Sequence, residues 1–359
     1  MPLPSHDLCS PRDIALALVR QYGWNSTAYQ ILNPGIGLLV SAAGDAITGY
    51  VDYGRVRVAA GVPVCQPEQL LAAMAEFEQI AARDGRRVCY FYAEERARLM
   101  TSKLDGYRAV QIGTQPVWDP RDWAATFDRH ASLRAQLNRA RNKGLHVVEW
   151  SPQRATGHPA LQQCLEEWLT DRRMSELHFL VEPKTLDFLT GRRIFVAENA
   201  GTFLGFLLAS PIPLRRGWLI EQVIRGRRAP NGTAESLIDA AVRAVAADGG
   251  EMITLGLAAL NQRETRVTNP AWLQWLFTWA RAHGRRFYNF DGLDTFKAKF
   301  RPHHWEPVYM LSRERHFSFG NLLAVAGAFT GRHLATALLR TLARALRQEA
   351  RWLRRRLST

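Results

Sequence analysis

The chain has 359 residues, 47% of them hydrophobic and 22% charged, which is enough apolar material for a buried core across two domains and too much for a disordered chain. Lysine and arginine number 47 against 33 acids, a formal charge of +14 that points to a polyanionic partner, nucleic acid or an anionic membrane; a solubilising surface is the plainer alternative. The four cysteines, Cys9, Cys65, Cys89 and Cys164, lie far apart without a CxxC pair, which argues against a zinc ribbon or a thioredoxin-like motif. Cys65 and Cys89 fall in apolar, strand-like runs and read as reduced core residues. "MPLPSHDLCSPRD" lacks the apolar stretch of a signal peptide, and no run approaches the ~18 apolar residues of a spanning helix, so a reducing cytosol is the expected compartment.

In chain order, "LLVSAAGDAITGYVDY" (38–53) predicts a hairpin turning near Gly44. Leu70, Leu71, Met74 and Phe77 follow at helical spacing, Gly85 supplies a C-cap, and an apolar strand comes next. The same layout recurs in "IFVAENAGTFLGFLLAS" (194–210), with a turn at Gly201, a helix stopped by Gly249 and another apolar strand. Strands, a helix and a strand, occurring twice, argue for two similar α/β units. Between them, "HASLRAQLNRARNKG" predicts a helix over His130–Lys143 carrying Arg134, Arg139, Arg141 and Lys143: a solvated face or the wall of a basic groove.

"GWLIEQVIRG" (217–226) interrupts an apolar run with polar groups. In a regular strand Glu221 and Arg225 share one face and Gln222 takes the other, so the first two form a structural ion pair or line a site. In "RGRRAPNGTAESL", Asn231 or Thr233 can cap a helix and Gly232 lets backbone approach a ligand, so an anion could sit at that helix N-terminus. Trp272, Trp275 and Trp279 form a stripe expected to face the core, with lipid contact the lesser alternative. In "FYNFDGLDTFKAKFRPHHWEPVYM", a strand is expected to turn at Asp291-Gly292 and restart as a helix ended by Pro302. Leu293, Phe296 and Phe300 would anchor that helix while Lys297 and Arg301 share an adjacent face, presenting cations to a phosphate. Asp291 reads as a cap or as an acid/base. His303-His304 has no companion ligands at metal spacing, and no metal is expected.

The tail opens with "FGNLLAVAGAF", apolar but short. From Arg332 onward, eight arginines and one acid give +7 of the +14. Leu334, Leu338, Leu342, Leu346 and Leu353 form one stripe of a basic amphipathic helix, with Arg340, Arg344, Arg347, Arg351 and Trp352 as its membrane contacts; a tRNA-binding or dimer helix is the alternative.

Several stretches carry a resemblance in order: "VAAGVPV", "LDGYRAVQIG", "LRAQLNRARNKGL", "IEQVIRGRRAPNGTAESLIDAA", "ITLGLAAL" and "FYNFDGLDTFKAKFRPHHWEPVYM". Over most of residues 25–311 the chain resembles the C-terminal catalytic domain of phosphatidylglycerol lysyltransferases, the multiple peptide resistance factor family. The resemblance implies an α/β fold of two tandem N-acetyltransferase-like domains. Together with the pattern above it divides the chain into an N-terminal domain (1–128), a basic inter-domain helix (129–150), a catalytic domain (151–313) and a membrane-surface tail (314–359). It implies transfer of an aminoacyl group from aminoacyl-tRNA to a lipid hydroxyl at the cytoplasmic face of the membrane, with aminoacyl-tRNA as co-substrate and no cofactor. Members with a multi-helix flippase carry it ahead of this domain; this chain resembles the shorter branch without one.

On that reading Glu221 or Asp291 is the base and Arg225 a further catalytic group. Substrate is held by Gln222, Asn231, Gly232, Thr233, Lys297, Lys299, Arg301, Trp305 and Tyr309. Arg134, Arg139, Arg141 and Lys143 take tRNA, and an anionic lipid is the second partner. The lysyltransferases typically carry Asp three residues before the strand arginine; Gln222 stands there, so the amino acid is open. A CoA- or acyl-carrier-dependent N-acyltransferase and a non-catalytic RNA- or membrane-binding protein are the competing readings.

Overall fold

The computed structural model describes residues 10–171, 177–283 and 289–331. The cationic tail stripe, Arg340 to Trp352, lies outside the described residues, so its predicted membrane role is not addressed by the fold. The described strands form one continuous mixed α/β sheet of thirteen strands. Its first half runs β1 (Gly37–Val40), β2 (Ala46–Tyr53), β3 (Val56–Ala60), β4 (Val64–Cys65), β5 (Arg87–Glu94) and β6 (Tyr107–Trp118). Its second half runs β7 (His146–Trp150), β8 (Arg193–Asn199), β9 (Thr202–Ile212), β10 (Gly217–Arg225), β11 (Met252–Thr254), β12 (Ala258–Ala259) and β13 (His304–Arg313).

The predicted repeat appears as two matching crossovers. β3 runs parallel to β5 through helix α2 (Leu70–Arg83), and β10 runs parallel to β11 through helix α8 (Thr233–Ala247). Gly44, Gly85, Gly201 and Gly249 all take positive φ at the predicted turns and helix ends.

The halves do not close on themselves. β13, the last strand, inserts between β5 and β6, and β6 turns its other edge to β11 and β12. Each half therefore supplies a strand to the other. Where β12 approaches β6 there is no room for a side chain: Gly113 sits at φ +147°, and a Cβ there would lie 2.3 Å from the Ala258 carbonyl oxygen.

Both faces of the sheet are covered. In the first half, α2 buries Leu70, Met74 and Phe77 on one face. Helices α1 (Pro11–Tyr22), α9 (Ala271–His283) and α11 (Phe319–Thr330) pack on the other, where Val19, Leu273 and Val325 join Phe91 and Ile112. In the second half, helix α5 (Ala131–Asn142) and α8 cover Phe195, Leu207 and Ile220, while helix α7 (Pro159–Asp171) covers Val196, Phe206 and Ile224. Cys65, Cys89 and Cys164 are free thiols in these cores, where burial pushes Cys65 up to about 11 and Cys164 up to about 12.

The tryptophan stripe expected to face the core turns out the other way. Leu273, Leu276 and Phe277 of α9 face the core, and the tryptophans point outward. Both sets recur at helical spacing, so periodicity alone could not choose between them.

Gly113→Ala should cost roughly 1–3 kcal/mol by forcing the β6–β12 contact apart. A lowered urea midpoint with unchanged m-value checks this, and an unshifted midpoint would show that the crossing yields freely.

Candidate functional site

β10 carries a bulge between Ile220 and Gln222, where Ile220 faces Ala209 and Gln222 faces Leu208. The extra residue is Glu221, and it breaks the alternation on which the Glu221–Arg225 pairing depends. Past the bulge Val223 joins the face of Ile220, and Ile224 the opposite one. Glu221 pairs instead with Arg192, whose Nη2 donates at 3.1 Å; their side chains are 7% and 1% exposed. Arg192 also donates to Asn33 Oδ1 at 2.8 Å, and Gln30 Nε2 donates to Glu221 and, at 2.8 Å, to Ser210. Through Asn33 and Gln30, this ion pair of the second half is tied to the segment that precedes β1. Arg225 is exposed at the strand end, and Gln222 holds the Glu182 carbonyl and Thr185 at 3.1 Å each.

The N-terminus of α8 is crowded at its glycine turn by α5. Gly232 is the helix's N-cap at φ +99°, without a side-chain cap, and a Cβ on it would lie 2.7 Å from the Gln136 carbonyl oxygen of α5. Helix α5 therefore packs tightly against the glycine turn that opens α8. Thr233 is buried and donates to the Pro230 carbonyl at 2.7 Å, while Asn231 is exposed in the loop. Neither caps the helix as expected. Past Leu219 and Thr254 the pairing of β10 and β11 stops.

On α5 the predicted arginines divide. Arg134 turns back to the carbonyls of Phe127 and Asp128, whereas Arg139, Arg141 and Lys143 are exposed. Arg141 reaches Asp239 at only 3.6 Å.

Helix α10 (Phe290–Ala298) begins earlier than expected, with Asp291-Gly292 inside its first turn. Its N-cap is Asn289, which accepts from the Gly292 amide at 3.0 Å; Asp291 binds Arg281 at 2.6 Å. The cations of α10 do not form an outward array. Lys297 is buried and donates to the Gly256 and Leu257 carbonyls at 2.9 and 2.8 Å. Those two acceptors satisfy the two N–H groups of a neutral amine, and burial lowers its pKa to about 7. Lys299 binds Glu235 of α8 at 2.7 Å and also Gln136, tying α10 to α8 and α5. Arg301 alone remains exposed, in a turn at φ +46°. Tyr309, predicted to touch substrate, is buried in the core with its hydroxyl on Glu95 at 2.6 Å.

What the fold brings together is a polar seam along β6, reached from both faces. On one face, Thr114 donates to Asn261 at 3.0 Å, Asn261 donates to Asp294 at 3.0 Å, and Arg263 completes the group on Asp294 at 3.1 Å while lying 4.9 Å over Trp305. Burial raises Asp294, but the bonds from Arg263 and Asn261 outweigh it and hold its carboxyl below the usual range. On the other face, Gln115 donates to Glu94 at 3.2 Å and to Glu306 at 2.9 Å, and Arg215 reaches both carboxylates, at 3.5 and 2.8 Å. Glu94 also accepts from the Ser26 amide and hydroxyl, both at 2.8 Å, and Tyr92 donates to Gln115 at 3.0 Å from a strained φ of +69°.

Two carboxylates share one guanidinium here. Burial, only partly relieved by Arg215 and reinforced by Glu306, raises Glu94. Burial opposes the ionisation of Glu306 as well, but its bonds from Arg215 prevail and lower it. One acid is thus biased to keep a proton and its neighbour to lose one, the arrangement of an acid/base pair. Glu306 stands in the quoted "WEP" and Glu94 ends the apolar run "CYFYAE", so a carboxylate closing a strand was the available signal. Arg215 and Ser26 carry none.

Residues 16–312 match the family described as phosphatidylglycerol lysyltransferase, C-terminal. The chain belongs to this family. It is 26% identical over 277 residues to the phosphatidylglycerol lysyltransferase of Bacillus subtilis (strain 168), covering 76% of this chain and 32% of that protein. The chain thus spans about a third of that relative's length. Among solved structures, the L-PGS of Bacillus licheniformis has a TM-score of 0.73 at 21% identity, over 88% of this chain and 95% of that one. The C-terminal domain of a protein described as a lysylphosphatidylglycerol synthetase from Agrobacterium fabrum has a TM-score of 0.77 at 23% identity, over 89% and 97%. At these identities the structural likeness is one of fold.

The Lys297 pKa fixes a pH dependence. Its folded value of about 7 lies below its ordinary 10.5, so between those values the unfolded chain binds more protons and stability rises with pH. Lys297→Met should flatten the rise of the urea midpoint between pH 7 and 10. Parallel midpoints for the two proteins would mean that Lys297 stays charged when folded.

Proposed function

We propose that the chain transfers an aminoacyl group from aminoacyl-tRNA to a hydroxyl of an anionic phospholipid at the cytoplasmic membrane surface. Family membership and the seam support this, and the observation that favours it over a CoA donor is the tight packing of α5 on the glycine turn at the head of α8, where a Cβ on Gly232 would lie 2.7 Å from the Gln136 carbonyl oxygen. The donor ester is already activated, so the reaction draws on no nucleotide, metal or further cofactor. The lipid oxygen bonds to the acyl carbon, the bond from that carbon to the ribose oxygen breaks, and the hydroxyl proton passes to the ribose oxygen.

On this reading Glu306, kept ionised by Arg215, takes the lipid proton, and the Asn261–Arg263–Asp294 group orients a substrate. Glu221 and Asp291, each held by an arginine, serve as clamps. The exposed cations of α5 meet tRNA phosphates, and the tail cations from Arg340 to Arg351 meet the lipid surface.

Product should form from charged tRNA and phosphatidylglycerol vesicles and vanish on RNase treatment; product from acyl-CoA with RNase present would refute the donor. Glu306→Gln should lower kcat by about 10²-fold or more while leaving a folded protein. Full turnover in that variant would remove Glu306 from the chemistry. Arg139→Glu with Lys143→Glu should weaken tRNA binding and reduce its log–log salt slope by roughly 0.7–0.9 for each lost phosphate contact. An unchanged slope would clear α5 of the tRNA site.

A further inference from the structure

Helix α9 is built to show tryptophan to the outside. Leu273 is fully buried, while Trp272, Trp275 and Trp279 are 41%, 67% and 48% exposed. Single exposed apolar residues are ordinary, but Trp272 and Trp275 on one face of one helix make an exposed indole patch. Between them the outer surface carries Gln274 and Thr278, and α9 contains no carboxylate. Its arginine, Arg281, turns inward to Asp291 at 2.6 Å and to the Leu260 carbonyl at 3.2 Å.

We propose that this face seats in the interfacial layer of an anionic bilayer, a membrane contact separate from the basic tail. The inference deepens the lipid-acceptor reading above and rests on it for the identity of the surface. Indole rings carry a large apolar body and one N–H donor, which suits the boundary between acyl chains and headgroups. Among the described residues of α9 the outward face between the tryptophans carries Gln274 and Thr278 and no charged side chain, and the chain's +14 draws it toward an anionic surface. Position also fits. The residue after Leu260 is Asn261, which bonds Thr114 and Asp294, so Arg281 fixes the tryptophan face beside the polar seam. A lipid at this interface has its headgroup next to the groups assigned to orient a substrate.

The test compares the full chain with Trp272→Gln/Trp275→Gln by sedimentation on phosphatidylglycerol/phosphatidylcholine vesicles and by quenching with brominated acyl chains. Because both side chains are exposed, thermal melting should be unchanged. Partitioning should weaken roughly tenfold or more and quenching should fall. The tryptophan-dependent part of binding should persist at high salt, where the arginine attraction is screened. Equal partitioning and quenching of the two proteins would overturn the proposal. So would a dimeric wild type and monomeric variant with equal vesicle affinity, which would make the face a contact between copies. Absence of aminoacyl transfer leaves these readouts intact, so failure of the reaction and failure of this surface are told apart.

Discussion

The ladder between β6 and β13 is the constraint on which the rest of the structure depends. It pairs the two strands from His304↔Val117 to Arg313↔Tyr107, joining residues nearly two hundred positions apart. Because β13 lies between β5 and β6, the first half of the sheet is complete only when the end of the second has been made. Contacts of such sequence separation carry a loop-closure cost that only a large ladder and core can offset. The exchange also sets β6 at the centre, with Thr114 and Gln115 sending their side chains to opposite faces, and those residues anchor the two halves of the polar seam.

Charge is then used in two ways. The Arg192–Glu221 pair is almost wholly buried, held by Asn33 and Gln30 from the first half of the chain, and fixes how the halves sit. Removing one member would leave the other uncompensated in a low-dielectric site, so such a pair is rigid rather than reactive. The Glu94–Arg215–Glu306 group is short of one positive charge. Its two acids sit in different surroundings, one deep and one partly open beside the exposed His304, and the arginine favours the second. An imbalance of this kind costs stability and is what proton transfer needs.

The same logic separates the two helix ends. At α8 the glycine turn at the N-terminus is packed against α5, and Glu235 in the first turn pairs with Lys299. On α9 the order is inverted, with Trp272, Trp275 and Trp279 on the exposed side and Leu273 in the core.

Much of the plan was legible in the sequence because it depends on local periodicity. The two helices α2 and α8, their glycine stops, the hairpin turns, the helix across Ala131–Asn142 and the buried cysteines all follow from spacing and from φ preferences that act within a few residues. The motifs likewise marked the family. What only the tertiary structure decided lies in choices that local spacing leaves degenerate. A bulge of one residue sent Glu221 to Arg192 instead of Arg225, because adding a residue reverses which face each later side chain takes. Lys297 and Tyr309 were drawn into the interior by carbonyls and a carboxylate contributed from distant segments, and α9 chose leucine over tryptophan as its inner face. The Glu94–Glu306 pair exists only because β13 crosses back between β5 and β6, and a strand's neighbours are set by the long-range closure of the sheet rather than by its own residues.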